Sequence, residues 1–168
     1  MCIRDSGLAN QLNVSRSDAQ QYVDRYFEKY PGVRNYMDQT QVVADEKGYV
    51  ETILGRRRYL PDISAKNFRL RSQAERAAIN MPIQGTAAEI FKLAMLSITK
   101  ELVSSKMKTS MVLQIHDELI FESDDNEVKN ASKFIKDTMT SVQESELHSF
   151  SIPLLVDINA GQNWGELH

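Results

Sequence analysis

Residues Met111–Glu122 read MVLQIHDELIFE. Two apolar runs, Met111–Ile115 and Leu119–Phe121, flank His116, Asp117 and Glu118. Short apolar runs on either side of a few polar residues predict strand, tight turn, strand. The runs are almost continuously apolar, which predicts that both strands are buried. Two carboxylates and an imidazole would then stand at the tip of a buried hairpin. Ionised carboxylates are costly there unless a cation or a donor meets them. Mg²⁺ is the natural cation, because it prefers the hard oxygen ligands that Asp117 and Glu118 offer. A solvated acidic turn uses the same residue types, and spacing alone leaves both readings open.

Two further groups of side chains have chemistry to offer. Arg76, Asn80 and Gln84 recur every four residues, so on a continuous helix they lie within one face. All three donate hydrogen bonds. In the DNA minor groove every base pair presents similarly placed acceptors, purine N3 and pyrimidine O2. Donors in such a row could test a pair for Watson–Crick shape without reading its sequence. A solvated polar stripe fits the same spacing. Arg56, Arg57 and Arg58 are adjacent. Three neighbouring guanidiniums repel one another unless an anion is near, and phosphate suits them. Surface solubility is the other reading.

The elements that carry these groups follow from periodicity and punctuation. A short helical piece, GLANQL from Gly7, precedes Ser15 and Asp18, a pair spaced as a capping box. The next helix places Ala19, Tyr22, Val23, Tyr26, Phe27 and Tyr30 on one face, an aromatic stripe expected to be core. Pro31-Gly32 ends it. Val33–Lys47 is a second helix, with Val33, Tyr36, Met37, Val43 and Ala44 inward and Gly48 as its stop. Tyr49–Leu54 and Arg58–Leu60 read as strands joined through Gly55. A long helix, Leu70–Ser104, buries Ile83, Ala87, Ile90, Phe91, Ala94, Ile98 and Leu102. Pro82 inside it predicts a kink or a break, because it removes a donor and crowds the Ala78 carbonyl. After the central hairpin come a helix over Glu127–Glu144 and a last strand, Ile152–Ile158. The helix turns Val128, Ala131, Phe134, Ile135, Met139 and Val142 inward. The tail holds the single tryptophan, Trp164, expected to pack in the core. This order predicts an α+β fold, an antiparallel sheet with helices on one face.

The 168 residues suffice for one domain with a sizeable core. A content of 42% hydrophobic and 26% charged residues is that of an ordinary soluble globular protein. No apolar run approaches the roughly 20 residues of a membrane span. Residues 1–6, MCIRDS, lack the apolar region of a secretory signal. One cysteine, Cys2, rules out an internal disulfide and a cysteine-based zinc site. The cytoplasm is the expected compartment. Net charge is −3, yet residues 56–116 carry 11 basic and 4 acidic side chains and residues 117–168 carry 3 and 11. A basic middle that faces phosphate and an acidic end that binds metal or solvent would give this split.

Taken together these stretches resemble family A DNA polymerases, the bacterial DNA polymerase I type. Gln114-Ile115-His116-Asp117-Glu118-Leu119 is similar to the family's metal-binding hairpin, with Ile115 where valine is usual. Glu75-Arg76-Ala77-Ala78-Ile79-Asn80 and Pro82-Ile83-Gln84-Gly85-Thr86-Ala87-Ala88 resemble its long palm helix. GYVETILGRRRYLPDI, from Gly48 to Ile63, resembles the hairpin before that helix. Gly7–Val33 resembles helices that close the fingers, and Asn163-Trp164 the carboxyl terminus. The resemblance implies template-directed addition of deoxynucleotides to a primer 3′ end, in replication or repair, with two Mg²⁺ ions in the complete enzyme. It implies metal ligation by Asp117, a supporting catalytic role for Glu118, and His116 near the primer terminus. It implies contacts of Arg76, Asn80 and Gln84 with the primer–template duplex. Primer–template DNA and deoxynucleoside triphosphates are the partners it implies, with no membrane and no obligate oligomer.

The departures bear on activity. The family's first metal-binding aspartate lies well upstream of the fingers, and the fingers helix supplies a lysine to the triphosphate. Neither segment has a counterpart in these residues. The chain is therefore expected to be a C-terminal part of a larger polymerase, with residues 7–47 from the fingers and 48–168 from the palm. Residues 1–6 are unmatched and read as a junction artefact. Such a part is expected to have little or no activity alone. A non-catalytic duplex-binding module is the alternative. A phosphohydrolase built on His116 and Asp117 would need further histidines, and only His148 and His168 remain.

Overall fold

The computed structural model describes residues 5–142, 144–145, 148–149 and 152–167. Cys2 and His168 lie outside them. The chain forms two compact units, divided after Thr86.

The first unit opens with three helices, α1 (Asp5–Leu12), α2 (Arg16–Lys29) and α3 (Pro31–Lys47). Ser15 caps α2, its Oγ accepting from the Asp18 backbone N–H at 3.1 Å. The Asp18 carboxylate accepts a hydrogen bond from the Ser15 hydroxyl at 2.7 Å, so the acid grips the capping side chain and not the backbone donor that a full capping box offers it. Pro31 stands in the first turn of α3, where its missing N–H costs nothing. Gly48 closes α3 at φ 72°, the left-handed cap glycine takes without strain. Strands β1 (Tyr49–Glu51) and β2 (Arg57–Tyr59) follow as an antiparallel pair, with Val50 opposite Arg58. They are shorter than the pattern suggests, because the turn takes up Thr52–Arg56: the Thr52 N–H donates to the Arg56 carbonyl and the Gly55 N–H to the Thr52 carbonyl. A core of Ala44, Val50, Leu60, Ile63, Ala74 and Ala78 joins α3, the hairpin and the start of α4 (Phe68–Ser105). The Tyr36 hydroxyl, on α3, donates to the Ile79 carbonyl at 3.0 Å.

The second unit holds the rest of α4, the hairpin β3 (Ser110–Ile115) and β4 (Glu118–Glu122), and α5 (Val128–Ser141). Ile98 and Leu102 of α4 pack with Ala131 and Ile135 of α5, and Met111, Leu119 and Phe121 lay one face of the hairpin on them. The fold is thus α+β, with helices on one face of an antiparallel strand pair, as the element order predicts. Among the described residues the strands form three separate two-stranded sheets and not one, the third pairing β5 (Glu144–Ser145) with β6 (His148–Ser149).

Several expectations are corrected. The hairpin β3–β4 buries one face only. Val112 and Leu113 are exposed, because a two-stranded ribbon meets helices on a single side and a bulge between Met111 and Leu113 offsets the alternation. Of the α2 stripe, Ala19 and Val23 are buried, while Tyr22, Tyr26 and Tyr30 are exposed. The rings of Tyr26, Phe27 and Tyr30 meet one another and nearby cations instead. Tyr26 lies 5.4 Å from Phe27 and 5.2 Å from Tyr30, and the Arg34 guanidinium sits 4.2 Å from the Phe27 centroid. On α3, Ala44 is buried but Val33 and Val43 are exposed. Ile83 and Ala87 of α4 are exposed too, since the buried line shifts from Ala74, Ala78 and Ile79 in one unit to Ala94, Ile98 and Leu102 in the other. The helix runs unbroken through Pro82. Ile152–Ile158 pairs with no strand among the described residues, and Leu155 is 88% exposed. An apolar, β-branched run becomes a strand only where a ladder accepts it, and Pro153 withdraws one donor. Trp164 begins a short 3₁₀ turn, Trp164–Glu166, and is exposed.

Ile98 is fully buried. Ile98→Ala should cost about 2–5 kcal/mol through lost transfer energy and a residual cavity, read as a lower urea midpoint. Burial raises the Tyr36 phenol above its ordinary value. Its neutral form is favoured in the folded state, so the stability it contributes is intact below pH 10 and falls as pH rises beyond that. Tyr36→Phe should flatten the alkaline limb of a stability–pH profile.

Candidate functional site

Two sites emerge, one in each unit. In the second unit the apolar runs of β3 and β4 pair down to Ile115 opposite Glu118, leaving His116 and Asp117 as a two-residue connection. His116 has φ 51°. Two-residue hairpin loops demand positive φ, which glycine or asparagine supplies most readily. Histidine adopts it at some cost, and such costs gather at functional positions. The Gln114 amide donates to the His116 carbonyl at 3.3 Å. His116, Asp117 and Glu118 are all exposed, so the carboxylates escape the desolvation a buried tip would impose. Glu118 stands opposite Ile115, on the hairpin face away from Leu119.

The open end of this hairpin is tied down. The Lys108 N–H donates to a Glu127 carboxylate oxygen at 2.9 Å, and Lys108 Nζ lies 3.1 Å from the Asp124 carboxylate. That carboxylate raises the Lys108 ammonium above its usual range. The Thr109 and Ser123 hydroxyls meet at 2.9 Å. The acidic tip is thus an exposed end of a ribbon fixed at its base.

Asp117 and Glu118 suit a divalent cation in donor chemistry. Mg²⁺ is usually held by one or two carboxylates, with waters and substrate phosphates completing an octahedron. An exposed tip leaves room for both. Among the described residues no group of three His, Cys, Asp or Glu side chains converges, so the donors fit an open site and not a closed cage.

In the first unit, α4 carries Arg76, Asn80 and Gln84. Arg76 and Gln84 are exposed and Asn80 is half-buried. Arg76 Nε donates to the Ser72 carbonyl one turn back, at 3.2 Å, which settles the stem of the side chain on its own helix. The structure brings these three onto one helix, as their spacing predicts. The arginine turn divides. Arg57 Nε reaches the Glu51 carboxylate at 2.6 Å, and its guanidinium lies 4.6 Å from the Tyr49 centroid. Arg57 is therefore neutralised within the hairpin. Arg58 stands opposite Val50 on the other face.

A contact the sequence reading missed joins this hairpin to α4. The Ile53 N–H donates to Thr86 Oγ1 at 3.1 Å. Buried Thr52 presses its methyl on Gly85, where an added Cβ would stand 2.6 Å from Thr52 Cγ2. The signal available was Gly85 itself, since a glycine inside a helix costs about 1 kcal/mol against alanine and marks a close approach.

Set beside solved structures, the fold matches the POL domain of Pol1 from M. smegmatis, in complex with DNA primer-template and dNTP. The TM-score is 0.91 at 35% identity, over 99% of this chain and 28% of that one. The chain belongs to DNA polymerase family A, whose model matches residues 2–166. It is 48% identical to DNA polymerase I of Streptococcus pneumoniae (strain TIGR4) over 164 residues, and 44% identical to DNA polymerase I of Pseudomonas aeruginosa over 162. These matches take in 98% and 96% of the chain but 18% and 17% of the relatives' length.

Gly85→Ala should destabilise the first unit by about 1–3 kcal/mol through overpacking against Thr52. Thr52→Ser removes the offending methyl and keeps the hydroxyl that accepts from the Arg56 N–H. Denaturation of the double variant should show most of the loss recovered.

Proposed function

We propose that this chain contributes the primer-terminus end of a DNA-directed DNA polymerase site, for template-directed addition of deoxynucleotides to a primer. The observation that carries the reading is the exposed His116-Asp117-Glu118 tip on a base-pinned hairpin, in a chain of family A. Asp117 is the metal ligand. Glu118 supports it from the adjoining strand, and His116 lies beside the primer 3′ end. Arg76, Asn80 and Gln84 donate to minor-groove acceptors of the newest base pairs, which have the same geometry for every correct pair. That lets the site hold a matched terminus whatever its sequence. Primer–template DNA and dNTP, named for the M. smegmatis neighbour, are the partners proposed here. Residues 7–47 are assigned to the fingers and 48–168 to the palm.

The cofactor proposed is Mg²⁺, two ions in the complete enzyme, which when bound offset charge on the attacking and leaving oxygens of an in-line displacement. The protein's own part is to keep a carboxylate exposed where phosphate oxygens complete the coordination, and to align the duplex. Asp117 alone does not make a two-ion clamp, so the 168-residue chain by itself should extend primers little or not at all.

Two assays test this. The purified chain should give no robust Mg²⁺-dependent extension; extension lost in Asp117→Ala would refute the claim of inactivity. A chimera carrying these residues in place of the matching segment of the pneumococcal DNA polymerase I should extend primers. Within it, Asp117→Ala should cut kcat by about a thousandfold, several kcal/mol of charge stabilisation. Gln84→Ala should chiefly weaken duplex binding. A chimera indifferent to Asp117 would leave the duplex-binding module as the better account.

A further inference from the structure

The contact between α4 and the β1–β2 turn places more than a stabilising hydrogen bond. Gly85 and Thr86 directly follow Gln84, the last donor of the row, and both touch the turn that leads into the arginines. The turn is doubly braced: Thr52 and Arg56 are joined by the Thr52 N–H on the Arg56 carbonyl, and by the Arg56 N–H on Thr52 Oγ1 at 3.0 Å. Holding Thr52 and Ile53 against α4 therefore also sets the start of β2.

The pleat then sorts the arginines. Cross-strand partners share a face. Tyr49, Glu51, Arg57 and Tyr59 share one: Tyr49 pairs with Tyr59, its ring 5.6 Å away, and Glu51 with Arg57. Val50 and Arg58 share the other. Val50 and Leu60, two residues on from Arg58, belong to the same core as Ala74 and Ala78 of α4. Arg58 is thus the exposed member of the hairpin face turned to α4, while Arg57 is spent on Glu51 and Tyr49.

We propose that Thr86 is a positioning residue, whose hydroxyl, seated beside the Gly85 notch, holds the hairpin so that Arg58 neutralises a backbone phosphate of the duplex bound along Arg76, Asn80 and Gln84. This rests on the reading of that row as a duplex contact. Minor-groove donors report pair geometry and need a charge contact to fix the register of the backbone. A guanidinium carried on a strand that backbone and hydroxyl contacts hold against the same helix supplies one.

The test is the salt dependence of duplex binding by the 168-residue chain, measured by fluorescence anisotropy across a KCl series. Each phosphate neutralised contributes about 0.9 to the slope of log K against log salt. Arg58→Ala should lower the slope by about that amount. Thr86→Val, which keeps the shape and removes the acceptor, should lower it by a similar amount, and Thr86→Ser should restore it. The Arg58→Ala/Thr86→Val double variant should match either single variant. Arg57→Ala should leave the slope unchanged, because its charge already faces Glu51. If Thr86→Val lowers the melting temperature or the affinity but leaves the slope intact, Thr86 is merely structural and the inference fails. If Arg58→Ala leaves the slope intact, the inference fails while the duplex-binding row stands. If the unaltered chain shows no salt-sensitive duplex binding, the row itself fails and the inference with it.

Discussion

The first unit depends on how closely a hairpin can approach a helix. Ala74, Ala78 and Gly85 line the side of α4 that meets the β1–β2 hairpin, and none carries more than a methyl group. Close approach lets Val50 and Leu60 exclude water and lets Thr86 reach a backbone N–H. Larger side chains there would replace many weak dispersion contacts with a gap. The row of Arg76, Asn80 and Gln84 on the same helix inherits its setting from this packing. Arg76, Asn80 and Gln84 are interspersed along the sequence with the residues that seat the hairpin, Ala74 to Thr86, so both sets share roughly three turns of one helix.

The second unit solves a different problem. Its acidic tip is exposed, so it is not held by burial of its own side chains. It is held from the other end, through Lys108, Thr109, Ser123, Asp124 and Glu127, and along one face by Met111, Leu119 and Phe121. The carboxylates are then positioned by the backbone of a short ribbon and not by a shell of side chains.

Much of this was legible in the residues. The long helix, both hairpins, the Gly48 stop and the i, i+4 row follow from periodicity and from where glycine and proline stand. The family is legible too, in the order and length of the motifs. What was not legible is which apolar residues find partners. Tyr22, Tyr26 and Tyr30 have the spacing of a core stripe and lie exposed; so do Ile83, Val112 and Trp164. A hydrophobic pattern states what a side chain could bury, while burial requires a surface opposite it. Ile152–Ile158 shows the same for the backbone, because a strand is a property of a ladder and not of one segment. Thr52 and Thr86 escaped for the converse reason. Their roles depend on a contact across some thirty residues, and threonine in a turn or a helix carries no pattern that announces it.

The left-handed backbone at His116 bears on how the second hairpin assembles. A connection built on Asn-Gly would zip from the turn outward, since the loop would favour the bend before any strand paired. His116-Asp117 offers no such head start. The contacts that close the ribbon lie at its far end, where the lysine, the hydroxyl pair and the apolar face bring Ser110 and Glu122 together. The acidic end is the part of the ribbon that none of these contacts pins. A hairpin with these loop residues forgoes local nucleation and leans on contacts at its far end.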